Sequence, residues 1–181
     1  MKLIESKVEL IEQQPGLEGM YKQIELAGRT CYKSEDKITE DSAKEFVDRM
    51  IKLGHGAMLE HGTVYLKTDV DHGSLVYLEL EQKYTYNRYS RVDFEGGVMY
   101  VTTNLRVLVE NDWLDDLQYI CEPTEYHEKR ITARFTCDRG VSHEIVRHRV
   151  MSFAMESTRY CNYEKDKFGN ELTYISPSWL D

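Results

Sequence analysis

Apolar residues recur along the chain with two periods, and the change from one to the other marks out most elements. Residues 2–12 place Val8, Leu10 and Ile11 among charged neighbours and read as a short strand. Pro15-Gly16 is a turn signal. From 17 to 32, Leu17, Met20, Tyr21, Ile24, Ala27 and Cys31 follow the i, i+3, i+4, i+7 spacing of an amphipathic helix. The polar run 33–41 reads as a loop. Ser42 and Glu45 have capping-box spacing ahead of a second helical stripe, Phe46, Val47, Met50, Ile51 and Leu53, with Gly54 placed as its stop. Thr63–Thr68, Leu75–Leu80 and Tyr84–Tyr89 are rich in branched and aromatic residues and predict strands, with Asp71-His72-Gly73 and Glu95-Gly96-Gly97 as turns. Tyr84, Tyr86, Arg88 and Tyr89 suit a sheet surface or a subunit contact better than a cofactor box.

Thr103 or Asn104 is placed to cap a helix through Leu105, Val107, Leu108 and Val109. Asn111 or Asp112 is placed to cap another through Trp113, Leu114, Leu117 and Ile120. After the break at Glu122-Pro123-Thr124, residues Lys129–Cys137 alternate, with Ile131, Ala133, Phe135 and Cys137 on one face and Thr132, Arg134 and Thr136 on the other. That strand delivers the chain to Asp138-Arg139-Gly140 and a helix from about Ser142. No repeat or low-complexity linker interrupts the order. The reading is one α+β domain over residues 1–181, with a mixed or antiparallel sheet flanked by helices.

Composition narrows the chemistry. The chain of 181 residues is 41% hydrophobic and 30% charged, with a net charge of −9. That balance suits a globular domain with a sizeable core, and an acidic chain is a poor general binder of nucleic acid. Residues 129–159 run the other way: seven Lys/Arg face three Asp/Glu, a local +4 that leaves the remainder at −13. A basic spot on an acidic body fits a small anion better than a polymer. The charged N-terminus does not read as a signal peptide, and no window has the apolar length of a membrane span. Cys31, Cys121, Cys137 and Cys161 form no Cys-x-x-Cys pair, so reduced thiols in the cytoplasm are expected.

Two stretches carry candidate chemistry. Gly54-His55-Gly56-Ala57-Met58-Leu59-Glu60-His61-Gly62 sets two histidines and a glutamate among three glycines. It reads either as a helix cap and turn that happen to hold histidines, or as backbone shaped for a ligand. Arg147-His148-Arg149 is followed by seven residues, Ser157 and then Arg159, so three guanidinium groups and an imidazole lie within thirteen residues. This reads either as a solvated basic helix end or as a seat for an anionic ligand, since arginine grips phosphate and carboxylate with a planar fork. Val141, Ile145, Val146, Val150 and Phe153 interleave with these charges and lead us to expect that the segment lies on a core. On a helix Arg147 and Arg149 would point about 200° apart, which suits two ligands or two subunits.

Spacing argues against rival chemistries. His143 and His148 stand at i and i+5, about 140° apart on a helix, where a zinc-protease pair needs i and i+4. No metal site is therefore expected. Neither Gly-x-Gly-x-x-Gly nor Gly-x-Ser-x-Gly occurs. Cys137 and Cys161 read as packed residues rather than nucleophiles.

Arg147-His148-Arg149, seven residues and Ser157 resemble the signature of the flavin-dependent thymidylate synthases. So do the lead-in Arg139-Gly140-Val141-Ser142-His143-Glu144 and the tail Ser157-Thr158-Arg159-Tyr160. Gly54-His55, with Glu60-His61 before a strand, resembles a second segment of that family. The resemblance runs from about residue 40 through Asn162–Gly169 to Ile175-Ser176-Pro177. It implies reductive methylation of dUMP to dTMP, with the one-carbon unit from methylenetetrahydrofolate, hydride from reduced FAD, and NADPH to reduce the flavin. It implies that His55, Glu60, Arg147, His148 and Arg149 bind FAD. It implies that Glu144, Arg147, Glu156, Ser157 and Arg159 bind dUMP, with Arg147 and Arg159 in catalytic roles. It further implies a homotetramer with sites between subunits.

The match has departures. Ala57 stands where the family has serine or threonine, and Met155 where it commonly has Glu or Gln, and each removes a polar contact. The family continues into a helical section with further arginines and an asparagine, so the expectation is a C-terminally short member. A second expectation, of another class, is a non-catalytic flavin- or nucleotide-binding or oligomerisation module. Turnover of dUMP separates the two.

Overall fold

Strand β3 (Thr63–Thr68) buries every second residue, Val64, Leu66 and Thr68, as the two-residue period requires. It runs antiparallel to β5 (Val98–Asn104), with Val64 opposite Thr103, Leu66 opposite Val101 and Thr68 opposite Met99. On the other side β5 pairs with β4 (Arg91–Glu95), giving a three-stranded antiparallel sheet in the order β3-β5-β4. The β4–β5 turn is the expected Glu95-Gly96-Gly97. Both glycines have positive φ, 58° and 84°, which suits a tight two-residue hairpin. β5 is the central strand, and Met99 to Asn104 are all buried. These features belong to a computed structural model that describes residues 2–69, 73–157, 159, 161 and 173–176.

Helices close one face of this sheet. α1 (Gly16–Tyr32) and α2 (Ser42–Lys52) follow the apolar stripes. Met20, Ile24, Phe46, Val47 and Met50 enter one core with Val64, Leu66, Met99 and Val101. The two helices approach closely at Gly28, where an added Cβ would sit 2.4 Å from the Phe46 ring. The capping box does not form: Asp41 precedes α2 without a side-chain cap bond. Ser42 instead accepts from the Thr39 N–H at 2.9 Å and donates to buried Glu25 at 2.8 Å. Glu25 had a better use for that hydroxyl, because its carboxylate is 1% exposed and needs partners, Arg29 being the other.

The predicted strands over 75–80 and 84–89 are a single helix, α4 (Leu75–Thr85). Ser74 caps it by accepting from the Tyr77 N–H at 3.2 Å. Tyr77, Leu80 and Tyr84 are its buried stripe. Branched and aromatic residues suggested a strand there, but the three-and-four spacing of the residues with partners favours a helix. Asp71 and His72 of the expected turn lie outside the described residues. α5 (Leu105–Glu110) begins as expected, with the Asn104 side chain accepting from the Val107 N–H. The next stretch is a 3-10 turn, Leu114–Tyr119, and neither Asn111 nor Asp112 caps it. Asn111 donates back to the Val107 carbonyl, and Asp112 takes a left-handed φ of 58°.

Residues 124–130 cover the other face of the sheet. The His127 ring stands edge-on to Tyr65 and Tyr100, its Nε2 donating to the Leu66 carbonyl and its Nδ1 accepting from the Thr124 N–H. Arg130 donates to the carbonyls of Thr103 and Tyr89. The chain then enters β6 (Thr132–Thr136), which pairs antiparallel with β2 (Lys7–Ile11). Val8, Leu10, Ile131 and Phe135, the apolar face of this ribbon, are 49–75% exposed, so in this chain the alternation faces solvent rather than the core. β1 (Lys2–Ile4) pairs parallel with β7 (Thr173–Ile175). The described residues form an α+β architecture, with three small sheets in place of the expected one.

Candidate functional site where the histidine loop meets the arginine segment

The histidine loop starts as a helix stop. The His55 N–H donates to the Met50 carbonyl and the Gly54 N–H to the Ile51 carbonyl, which requires the left-handed turn that Gly54 takes at φ 68°. A one-turn helix, α3 (Gly56–Leu59), follows and leads through Glu60-His61-Gly62 into β3. The other two glycines serve close packing. A Cβ on Gly56 would lie 3.0 Å from Nε of Arg106, and one on Gly62 would lie 2.5 Å from Cδ1 of Ile24. The close approach is therefore made by protein. His55 and Ala57 face solvent.

The arginine segment follows β6. Asp138 caps α6 (Arg139–Ile145) by accepting from the Val141 N–H at 3.1 Å. The expected helix stops before the motif: Arg147, His148 and Arg149 lie in turns, not on a helix. The Arg147 and His148 N–H groups close short turns on the Glu144 and Ile145 carbonyls. Nor does a core hold this part, since α6 has no buried residue and Val150 is 96% exposed. Without a covered apolar face a helix has little to extend it beyond two turns.

Anchoring comes further on. The Ser152 hydroxyl donates to Oε2 of Glu60 at 2.5 Å. The Phe153 carbonyl faces the His61 ring, and the Met155 N–H points at the Cys31 thiol. The Ser157 N–H donates to the Cys31 carbonyl at 3.0 Å, Lys33 lies 3.5 Å from Glu156, and the Cys161 N–H donates to the Ser157 carbonyl at 2.9 Å. Residues 152–157 are thus laid across the end of α1 and the histidine loop.

Electrostatics sort these groups. Burial lowers the pKa of His61 against the raising effects of the Phe153 carbonyl and Glu60, and its Nε2 has no hydrogen-bond partner among the described residues. Burial raises the thiols of Cys31, Cys121, Cys137 and Cys161, which keeps them protonated and unsuited to nucleophilic attack. His127 offers Cys121 no base, because the lone pair of its ring is taken by the Thr124 N–H. Among the described residues no group of three or more His, Cys, Asp or Glu is placed to share a metal ion.

The structure joins some candidates and leaves others apart. Glu144 and Arg147 pair with each other at 3.1 Å, both largely exposed. His148, Arg149 and Arg159 are exposed, and the Arg159 N–H donates to Oγ of Ser157 at 3.3 Å. Glu60 reaches the segment through Ser152, while among the described residues no hydrogen bond or ion pair links His55 to Arg147, His148 or Arg149. Thr158, Tyr160 and 162–169 lie outside the described residues.

Sequence reasoning missed Arg106, Ser152, Cys31 and Lys33. Arg106 donates through NH1 to Oε1 of Glu60 at 2.5 Å and through Nε to Glu110 at 2.6 Å. The signal for it lies in strand register. Thr63 pairs with Asn104, so a residue three before β3 meets one two after β5.

Neither a curated protein nor a solved structure matches the chain. Residues 123–181, which carry Arg147-His148-Arg149 and Ser157, match the family model described as thymidylate synthase complementing protein, so this C-terminal third of the chain is similar to that family.

Proposed function

We propose that the chain serves flavin-dependent thymidylate synthesis, the reductive methylation of dUMP to dTMP with methylenetetrahydrofolate as one-carbon donor and NADPH as reductant. The observation that carries this reading is the contact between the two family-like stretches: Ser152, inside the matched segment, is bonded to Glu60 of the histidine loop. A site for an anionic cofactor and nucleotide needs fixed charge that is still available. Arg149, His148 and Arg159 meet that need because they face solvent beside an anchored backbone. Among the described residues Arg147 has the weak exposed pair with Glu144 to exchange.

FAD fits this donor set: its diphosphate suits Arg147, His148 and Arg149, with His55 on the loop side. When bound, FAD supplies the hydride that completes the methyl group. The protein's part is positioning and charge. Arg159 holds the dUMP phosphate, Ser157 and Glu156 its sugar side, and Glu144 sits by the base, with Arg147 shared between the ligands. Arg147 and Arg159, in the catalytic roles, balance negative charge that develops on the uracil oxygens. The cations of one chain face outward, so a homotetramer with sites between subunits gives them their second wall.

A charge-assisted pair of this kind is worth about 1.5–3 kcal/mol, and lysine keeps the charge but loses the fork. Arg159→Lys should weaken dUMP by about tenfold in calorimetry, and Arg149→Ala should weaken FAD. Equal dUMP affinity in wild type and Arg159→Lys removes Arg159 from the phosphate. A chain that binds FAD but forms no dTMP when given dUMP, methylenetetrahydrofolate and NADPH is the non-catalytic module instead.

A further inference from the structure

We propose that Arg106 is a positioning residue of this site: by holding Glu60 it fixes the Ser152 end of the arginine segment on the histidine loop. The inference rests on the functional reading only for what the site binds. The geometry stands without it. Glu60 has two carboxylate oxygens, and both are spent, Oε1 on Arg106 and Oε2 on Ser152. A carboxylate so engaged is a bridge between two chain segments, and it leaves the flavin contact to His55 and the arginines. Arg106 is likewise divided, NH1 to Glu60 and Nε to Glu110 one turn along α5. The planar fork addresses the two carboxylates from separate nitrogens at fixed angles, so lysine reproduces the charge and not the geometry. Gly56 completes the device. Its missing Cβ leaves the space in which the Arg106 side chain lies, with Nε at 3.0 Å and Cδ at 3.3 Å from where that Cβ would be.

The chain of contacts therefore runs from Glu110 through Arg106, Glu60 and Ser152 to the backbone whose N–H groups at Met155 and Ser157 meet Cys31. Arg106 and Glu60 are 38% and 28% exposed, so the pair is screened and adds little to global stability. Its effect is on local order. The α5 end is rigid, because Leu105, Val107 and Leu108 are in the core, whereas α6 and Arg147–Arg149 have no core of their own.

Hydrogen exchange by mass spectrometry on the 181-residue chain tests this. Arg106→Ala and Glu60→Gln should speed exchange in peptides covering 151–157 by roughly tenfold while those of α1 and β5 and the thermal midpoint stay unchanged. Arg106→Lys should fall between. FAD titration of the same proteins should show weaker binding in Arg106→Ala, partly restored in Arg106→Lys. Unchanged exchange at 151–157 overturns the inference, and so does faster exchange throughout the chain with a lowered midpoint. If the wild type takes up no FAD, the flavin reading fails, and the exchange comparison still decides the positioning role.

Discussion

Gly62→Ala and Gly54→Ala delete the same hydrogen in one loop yet should fail for opposite reasons. At Gly62 the backbone takes no left-handed φ, but the new Cβ would meet Cδ1 and Cγ1 of Ile24 at 2.5 and 2.7 Å and Cγ of Met20 at 2.8 Å. Ordinary contacts begin at 3.4 Å, so neighbours must move by most of an ångström. Ile24 and Met20 are 0% exposed and packed against the central sheet, and Ile24 is stiff at χ1. Overpacking of this kind costs about 1–3 kcal/mol, less the ~0.4–1 kcal/mol gained by restricting the unfolded chain, so a net loss of about 1–2 kcal/mol is expected. At Gly54 nothing lies within 4 Å, and the cost is the left-handed φ alone, ~1–2 kcal/mol for alanine. Asparagine tolerates that conformation but is larger. Asn should therefore be better than Ala at 54 and worse than Ala at 62, in urea unfolding followed by circular dichroism with unchanged m-values. A double mutant adds a second check. Ile24→Val removes Cδ1, so its usual cost of about 0.5–1.5 kcal/mol should shrink or reverse in the Gly62→Ala background. The same order of Ala and Asn at both sites, or strict additivity with Ile24→Val, would refute the packing argument.

Other perturbations read other parts of the structure. Tyr84 is 0% exposed and donates to Oδ2 of Asp116 at 2.9 Å, so Tyr84→Phe should cost about 1.5–3 kcal/mol in the same assay by stripping a buried carboxylate of a partner. Burial lowers the pKa of both His61 and His127, so folding favours their neutral forms. The stability this gives is present above the ordinary histidine value of 6.5 and is lost as pH falls below it toward the folded-state values. The urea midpoint should therefore drop between about pH 7.5 and 5.5, and His127→Gln should flatten the drop. A midpoint that holds constant over that range would contradict the burial argument for both rings.

The two kinds of periodicity were legible to different depths. α1, α2, β3, α5 and β6 could be placed from the chain because residues with one side to bury repeat at the period of the element, and Gly54 and Asn104 carry their own local chemistry as stop and cap. α4 could not. Leu75, Val76 and Leu78 are exposed there, so composition suggested strands, and only the partners of Tyr77, Leu80 and Tyr84 select the helix. The alternation of β6 was real, but which side would be covered was not written in it, and its apolar side is open with that of β2. The arginine motif showed the same gap. Its residue types allowed an anion site or a solvated basic helix end, whereas its end of the chain is held by contacts at Ser152, Met155 and Ser157 rather than by the helix and core that the interleaved apolar residues implied.

The sequence by itself determined the elements whose signals are local, the balance of charge, and the side chains in residues 123–181 that resemble a known family. Tertiary structure decided which of those side chains meet. Arg106 and Glu60 are 46 positions apart, and nothing near either one names the other. The β3–β5 register brings them together because a strand pair fixes neighbours across its ends as firmly as along its length, and such distances are set by pairing rather than by spacing in the chain.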